Sequence, residues 1–504
     1  MKPTKRKERR KPARAATPDE SGHPQWWAGI AALFAALALA FIVYGPALHG
    51  PFVLDDLYLP FFKPHVSSAL TSWILGVRPV LMFSFWLNFQ SGGQDPYAYH
   101  AVNVLLHFLD TAAVFFIVRK LLRWAKTEGK LLNLLSGFAA GVFLLHPLQT
   151  ESVAYVASRS EVLSVLFFNL AFLVFLYRRK EGVSLLESVG ILILYAAAAG
   201  SKEHTVILPA LLLLTDYFWN PGFQAQGIVR NWKLYSLIAA AGALLALPVL
   251  TLLRHSTTAG FGAKGLHWYE YFPAQCRVIW DYIRLFVMPF GQNVDPDIAV
   301  SRGFTDPLAL VGCAALIAVS FAAWHFRRRY TLASFGWLVF LLLLAPTSSF
   351  MPIADAYAER RVYLPFIGLL LITVDLLRRW KTSHAVLAAA MGGILLVEGM
   401  LTYQRSVLWG DPIALWQDAA AKSPHKIRPN FQLAKAYFDA GQFGPAAEQY
   451  ERTARIQPPG YSLLVDWALA LQGLRQYDAA IEKLQQALAQ HPSAHIYAEL
   501  AKEY

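Results

Sequence analysis

Residues 26–56 read WWAGIAALFAALALAFIVYGPALHGPFVLDD, and this stretch decides the architecture. Trp26 to Tyr44 is uniformly apolar for 19 residues, enough for one helical crossing of a bilayer core about 30 Å thick. Gly45-Pro46 and Gly50-Pro51 then break the segment, and Phe52-Val53-Leu54-Asp55-Asp56 follows. Two adjacent carboxylates beside a membrane are costly to desolvate and contribute nothing to apolar packing. Such a pair reads as a functional site, the bland alternative being a solvated loop. On the other flank, residues 1–15 carry eight Lys/Arg and one Glu. Residues 1–24 are therefore expected to be a disordered basic tail that stays in the cytoplasm. The apolar run exceeds a signal-peptide core of about 7–15 residues, so it reads as an uncleaved anchor that delivers Asp55 and Asp56 to the far side.

Composition agrees with a polytopic membrane protein. Of 504 residues, 56% are hydrophobic and 15% charged, at a mean hydropathy of +0.37, outside the soluble globular range. The 15 Trp and 22 Tyr suit aromatic belts at the interfaces. The net charge of +12 sits where a topology rule places it and does not argue for nucleic acid. Cys276 and Cys313 lie on different elements with no CxxC and no metal spacing, so neither a disulfide framework nor a zinc site is supported. No glycine-rich phosphate loop appears, so a nucleotide-powered mechanism has no support in the sequence.

Further apolar segments fall at about 100–118, 132–147, 160–177, 185–200, 205–218, 234–253, 307–325, 331–345, 362–377 and 384–402. With the first, about eleven transmembrane helices are expected. Alternate loops are basic: Arg119 to Lys130, Arg178 to Lys180, Arg230 and Lys233, Arg327 to Arg329, and Arg378 to Lys381. All fall on the side of the N-terminal tail, as the positive-inside rule requires. An odd count puts the C-terminal region on the outer side with the acid pair. That face has two long loops, 49–99 and 254–306. Within them, Pro79 to Phe89 and Arg277 to Phe290 read as interfacial helices roofing a cavity.

The transmembrane domain is assigned to 25–403 and a second domain to 404–504. In the latter, Pro424, Pro458 and Pro492 are spaced by 34 residues, as are Ala434/Ala468, Phe443/Tyr477, Ala446/Ala480 and Tyr450/Leu484. This is the tetratricopeptide period, with small residues where helices cross. Such a short array is expected to lean on the membrane domain or a partner. The fold class is therefore all-α.

Ionisable residues gather at the outer ends of the spans. They are Arg78, then His146 with Glu151, then Arg159, then Lys202-Glu203-His204, and then Glu359-Arg360. One by one these read as local ion pairs. Together they supply carboxylates for proton abstraction and cations for an anionic group. In the second span His100, Asn103, His107 and Asp110 share one helical face, either a wet path or a structural hydrogen-bond ladder.

The order FVLDD, RPVLMFSFWLNF, YHAVNVLLH, HPLQTESVAYVASRSEVL, SKEH, AERRVYLP and then the 34-residue repeats resembles the transmembrane and TPR-containing O-mannosyltransferases, a branch of the GT-C glycosyltransferases. The resemblance covers essentially the whole chain after the tail, with a far shorter repeat array; the short loops suit a bacterial relative. It implies an inverting transfer of one mannose-like hexose from a polyprenyl phosphate to a hydroxyl, in eukaryotic members that of protein Ser/Thr. It places the catalytic carboxylate at Asp55 or Asp56. Arg360, Arg159 and Lys202, then His146 and His204, are the candidates for the donor phosphate. Glu203, Glu151, Glu359, Arg78 and His100 are read as supporting. No cofactor is called for; a divalent metal on the Asp55-Asp56 pair is the alternative, without His/Asp spacing to support it. The expected partners are the lipid-linked donor, membrane lipids and a protein held by the repeats. The expected location is the inner (plasma) membrane, with the active face and the repeats periplasmic. Competing readings are a membrane-anchored repeat scaffold, a transporter, and a related transferase acting on lipid or glycan.

Overall fold

A computed structural model describes residues 26–63, 69–255, 267–298 and 303–503; the basic tail lies outside these. Among the described residues the regular structure is helical, with no β-strand. Every apolar segment read from the sequence contains a helix: Trp26–Tyr44, Pro96–Trp124, Gly129–Leu145, Arg159–Arg178, Leu185–Ala199, Leu208–Phe218, Trp232–His255, Pro307–His325, Thr331–Leu344, Phe366–Leu377 and His384–Gly410. Pro at the first turn, where no intrahelical N–H bond is lost, begins the 96–124 and 307–325 helices, and Asp95 and Asp306 cap them.

Length divides these helices. Among the described residues five are long and apolar enough to cross a membrane unaided, and a sixth forms if Gly129–Leu145 and Pro147–Ala154, bent by 48°, count as one. The structure thus supports fewer self-sufficient spans than eleven. Polar turns account for two of the short helices. Helix 208–218 has 11 residues and helix 366–377 has 12, about 17 and 18 Å at 1.5 Å per residue. Each is preceded by a short 3-10 turn carrying charge, Glu203–Ile207 and Glu359–Val362. Charged residues at these turns shorten the apolar helices and leave ionisable groups at one end of the bundle.

The basic loops meet at the other end. Arg179 stacks over Trp124 at 5.0 Å. Arg230 Nη1 donates to the Lys180 carbonyl, Arg378 Nη1 to that of Ala125, and Arg379 Nη2 to that of Arg329. Between the two ends, the polar face of helix 96–124 is closed by protein partners. Asp110 accepts from Tyr363 Oη at 3.0 Å and Asn169 Nδ2 at 3.1 Å, and His107 Nδ1 lies 2.8 Å from Tyr363 Oη. These groups form a buried interhelical ladder rather than a wet path.

Beyond Gly410, six helices follow: Pro412–Lys422, Ile427–Asp439, Phe443–Ile456, Tyr461–Gly473, Tyr477–Gln490 and Ala494–Glu503. The 34-residue pattern is the packing pattern, since Ala434, Ala468, Ala446, Ala480, Tyr450 and Leu484 are all fully buried. These helices dock beside the acid pair. Leu54 and Val294 pack on Trp416 and Ala419. Asp295, itself buried, receives Lys426 Nζ at 2.6 Å and Arg428 Nε at 2.7 Å.

Candidate functional site

The loop that carries the acid pair is held by close backbone contact. A Cβ on Gly50 would lie 2.7 Å from the Trp409 carbonyl oxygen, and one on Gly410 would lie 2.5 Å from that of Pro46. Only glycine lets this loop abut the end of helix 384–410. Leu54 then adopts φ 51°, the left-handed region that costs a non-glycine residue about 1–2 kcal/mol. Flanking hydrogen bonds fix it there. Asp56 Oδ2 accepts from Val53 N at 3.0 Å, Asp56 Oδ1 from Ala157 N at 2.6 Å, and Asp55 N donates to Tyr155 Oη at 2.9 Å.

The two carboxylates therefore differ. Asp56 has no exposed surface, and burial pushes its carboxyl up to about 7 even though two backbone N–H groups oppose the rise. The Asp55 side chain is exposed, within electrostatic reach of Arg78 and Tyr155.

Three cations share that end of the bundle. Arg78 pairs with Glu203 through two bonds of 2.8 Å, both partners partly exposed. Lys202 pairs with buried Glu161. Arg360 pairs with buried Glu151, its backbone N–H also donating to Glu151 Oε2 at 3.1 Å. The three feel one another, since Arg78 and Arg360 both disfavour the Lys202 charge. Burial opposes the Arg360 charge, but Glu151 outweighs it and Arg360 stays strongly protonated. Asp355 lies 4.0 Å from Arg360 Nη2 and is held at 3.0 Å by Arg428 from the C-terminal helices.

Other sequence-read residues are placed elsewhere. Arg159 is fully buried. Its guanidinium donates to Asn103 Oδ1 at 2.9 Å, Asn88 Oδ1 at 2.5 Å and the Tyr99 carbonyl at 2.9 Å, and it stacks on Phe85. It pins helices 79–92 and 96–124 to the start of helix 159–178. Both ring nitrogens of buried His146 face backbone, Phe286 O at 3.0 Å and Leu148 N at 3.2 Å. His100 Nε2 faces Gly50 O at 3.1 Å, behind the acid loop. His204 lies 3.6 Å from Glu161, and burial pushes its imidazole down to about 4, so it is neutral near pH 7. Glu359 is buried against Arg405 at 2.9 Å and Asn293 N at 2.8 Å. Tyr155, which bridges Asp55 to the ring face beside Arg360 at 5.9 Å, was not singled out from the sequence. Its signal was its place between Glu151 and Arg159. Among the described residues no group of three or more His, Cys, Asp or Glu could hold a metal ion.

Apolar helices in this number, with Asp110 inside them met by Tyr363 and Asn169, fit a multi-pass membrane protein. Over most of its length the chain is similar to proteins named protein O-mannosyl-transferases. One from Caenorhabditis elegans is 23% identical over 476 residues, covering 88% of this chain and 64% of the relative. One from Drosophila melanogaster is 23% identical, covering 83% and 52%, and one from Homo sapiens 24%, covering 87% and 56%. The resemblance drawn from the motifs is thus found again in whole-chain similarity. The chain spans roughly half to two thirds of these relatives' lengths. No family model matches the chain, and no solved structure matches it.

Proposed function

We propose that this protein is an integral-membrane glycosyltransferase moving one mannose-like hexose from a polyprenyl-phosphate donor to a hydroxyl, that of a protein Ser or Thr. The observation that carries the reading is the split of the acid pair. Asp56 is buried as a structural acceptor, while Asp55 is exposed beside Arg78, with Lys202 and Arg360 in the same charged cluster.

In this reading the acceptor oxygen attacks the anomeric carbon as Asp55 takes its proton. The bond from that carbon to the phosphate oxygen breaks, and the lipid phosphate leaves with the electron pair. Arg360, Lys202 and Arg78 stabilise the departing phosphate. Glu151, Glu161 and Glu203 orient these cations, and Glu359 ties the turn before Arg360 to Arg405 and Asn293. Arg159, His146, His204 and His100 act as scaffold rather than phosphate ligands, because protein groups or a neutral imidazole occupy that role. No cofactor enters these steps. We read the C-terminal helices as tetratricopeptide repeats that present a protein acceptor to the Asp55 side. The N-terminus is assigned to the cytoplasm and the Asp55 face to the periplasmic side of the inner membrane. The relatives' printed names and the docking of the repeats beside Leu54 support a protein acceptor.

The test is intact-mass analysis of envelope proteins and lipids from cells with and without this protein. A hexose increment on protein supports the reading. An increment on lipid alone would select a lipid acceptor, and no change on either would remove transferase activity.

A further inference from the structure

The chain has two cysteines, Cys276 and Cys313, 37 positions apart on separate helices. Helices 268–287 and 307–325 cross at this point at unusually close range. A Cβ on Gly312 would lie 2.8 Å from the Cys276 carbonyl oxygen, and Trp280 Nε1 donates to the Gly312 carbonyl at 2.9 Å. Gly312 immediately precedes Cys313, and Cys276 and Cys313 line one groove, so the crossing brings the two side chains into the same neighbourhood. A disulfide spans Cα atoms about 4.4–6.8 Å apart, a range that helices in backbone contact can meet. Cys276 is buried, while Cys313 is half-buried and lines a groove with Phe272, Ile279 and Ile317.

We propose that Cys276 and Cys313 are a reversible dithiol–disulfide pair whose oxidation fixes helix 268–287 to helix 307–325. The oxidant is a disulfide-bearing protein or small molecule arriving from the groove. The Cys313 thiolate attacks one sulfur of that disulfide and releases the other as a thiol. Cys276 then displaces the remaining sulfur from the mixed disulfide. Two protein thiols are oxidised, one external disulfide is reduced, and both protons leave on the released thiols. Burial pushes the Cys276 thiol up to about 12, so its attack to close the ring is promoted by base.

The link has a mechanical consequence. Helix 268–287 holds the loop that leads to Arg360: Gln275 Nε2 donates to Ala356 O at 2.7 Å, Tyr282 Oη to Ala358 O at 3.0 Å, and Tyr271 Oη to Thr347 O at 2.7 Å. Tying this helix to 307–325 stiffens the support of that loop. The pairing itself does not depend on the reaction proposed above.

The experiment uses the full chain in detergent, reduced, freed of reductant and exposed to oxidised glutathione. It is then unfolded in acid and labelled with a maleimide that shifts it on a gel. The wild type should lose both labels, carry no glutathione, weigh two hydrogens less, and recover both labels with reductant. Cys276→Ser should instead retain one glutathione, on Cys313. In the oxidised wild type, backbone hydrogen exchange at 356–360 should slow. Two labels retained, a glutathione on each cysteine, or disulfide-linked dimers would each overturn the pairing.

Discussion

Asp56→Ala separates the scaffolding role of the acid pair from its chemistry. The Asp56 side chain has no exposed surface and accepts from Val53 N at 3.0 Å and Ala157 N at 2.6 Å. Alanine leaves two partly buried N–H groups without this acceptor, at up to about 1–3 kcal/mol each. That cost should depend on pH. The carboxyl titrates near its ordinary 3.8 when unfolded and at about 7 when folded. Between those values the folded protein keeps a proton that the unfolded chain has lost. Wild-type stability therefore declines as pH rises through this window, by up to about 4 kcal/mol at 1.36 kcal/mol per unit. The alanine variant has no such group, so the gap between the two should narrow from pH 5 to pH 8. Thermal unfolding of both proteins in detergent across that range is the assay. A gap that widens with pH would show that the fold stabilises the carboxylate and not the acid, and would refute the reasoning.

Arg159→Leu leaves Asn103, Asn88 and the Tyr99 carbonyl without their donor; at about 1.5–3 kcal/mol per charged hydrogen bond, the yield of folded protein should collapse, whereas a phosphate ligand would lose activity at normal yield. Arg360→Lys keeps the charge but loses a planar guanidinium that meets Glu151 through Nη1 and faces Asp355 through Nη2, and should raise the KM for lipid donor about tenfold with normal folding, measured by titrating labelled donor. Arg428→Gln frees Asp355 to draw on Arg360, and should also raise donor KM; adding Asp355→Asn should restore it, and a double variant no better than the single one would dismiss the coupling.

Much of the fold was legible because its signals are local. Each apolar run is a helix, the basic loops share one end, and the 34-residue spacing marks the buried positions Ala434 and Ala468. The span count was less legible, in part because hydropathy averaged over the turns at Glu203 and Glu359 that cut two helices short. The acid pair stood out, but the roles of its members did not. Which of two neighbouring aspartates is buried depends on Ala157 and Tyr155, a hundred residues away. Arg159 failed for a similar reason. Sequence shows a cation near a membrane boundary but not that its acceptors are Asn88 and Asn103 on two other helices. The contact of Cys276 with Cys313 rests on one glycine at a crossing, which no spacing rule reports.

The most direct measurement is sugar transfer from labelled polyprenyl-phosphate hexose by purified Asp55→Asn protein, alongside its thermal unfolding. The Asp55 side chain is exposed and only its backbone N–H is engaged by Tyr155, so unfolding should match wild type. Transfer should fall by about 100-fold to 10,000-fold, the share a positioned base supplies. Transfer at the wild-type rate by a normally folded variant would contradict the assignment of Asp55 as the base.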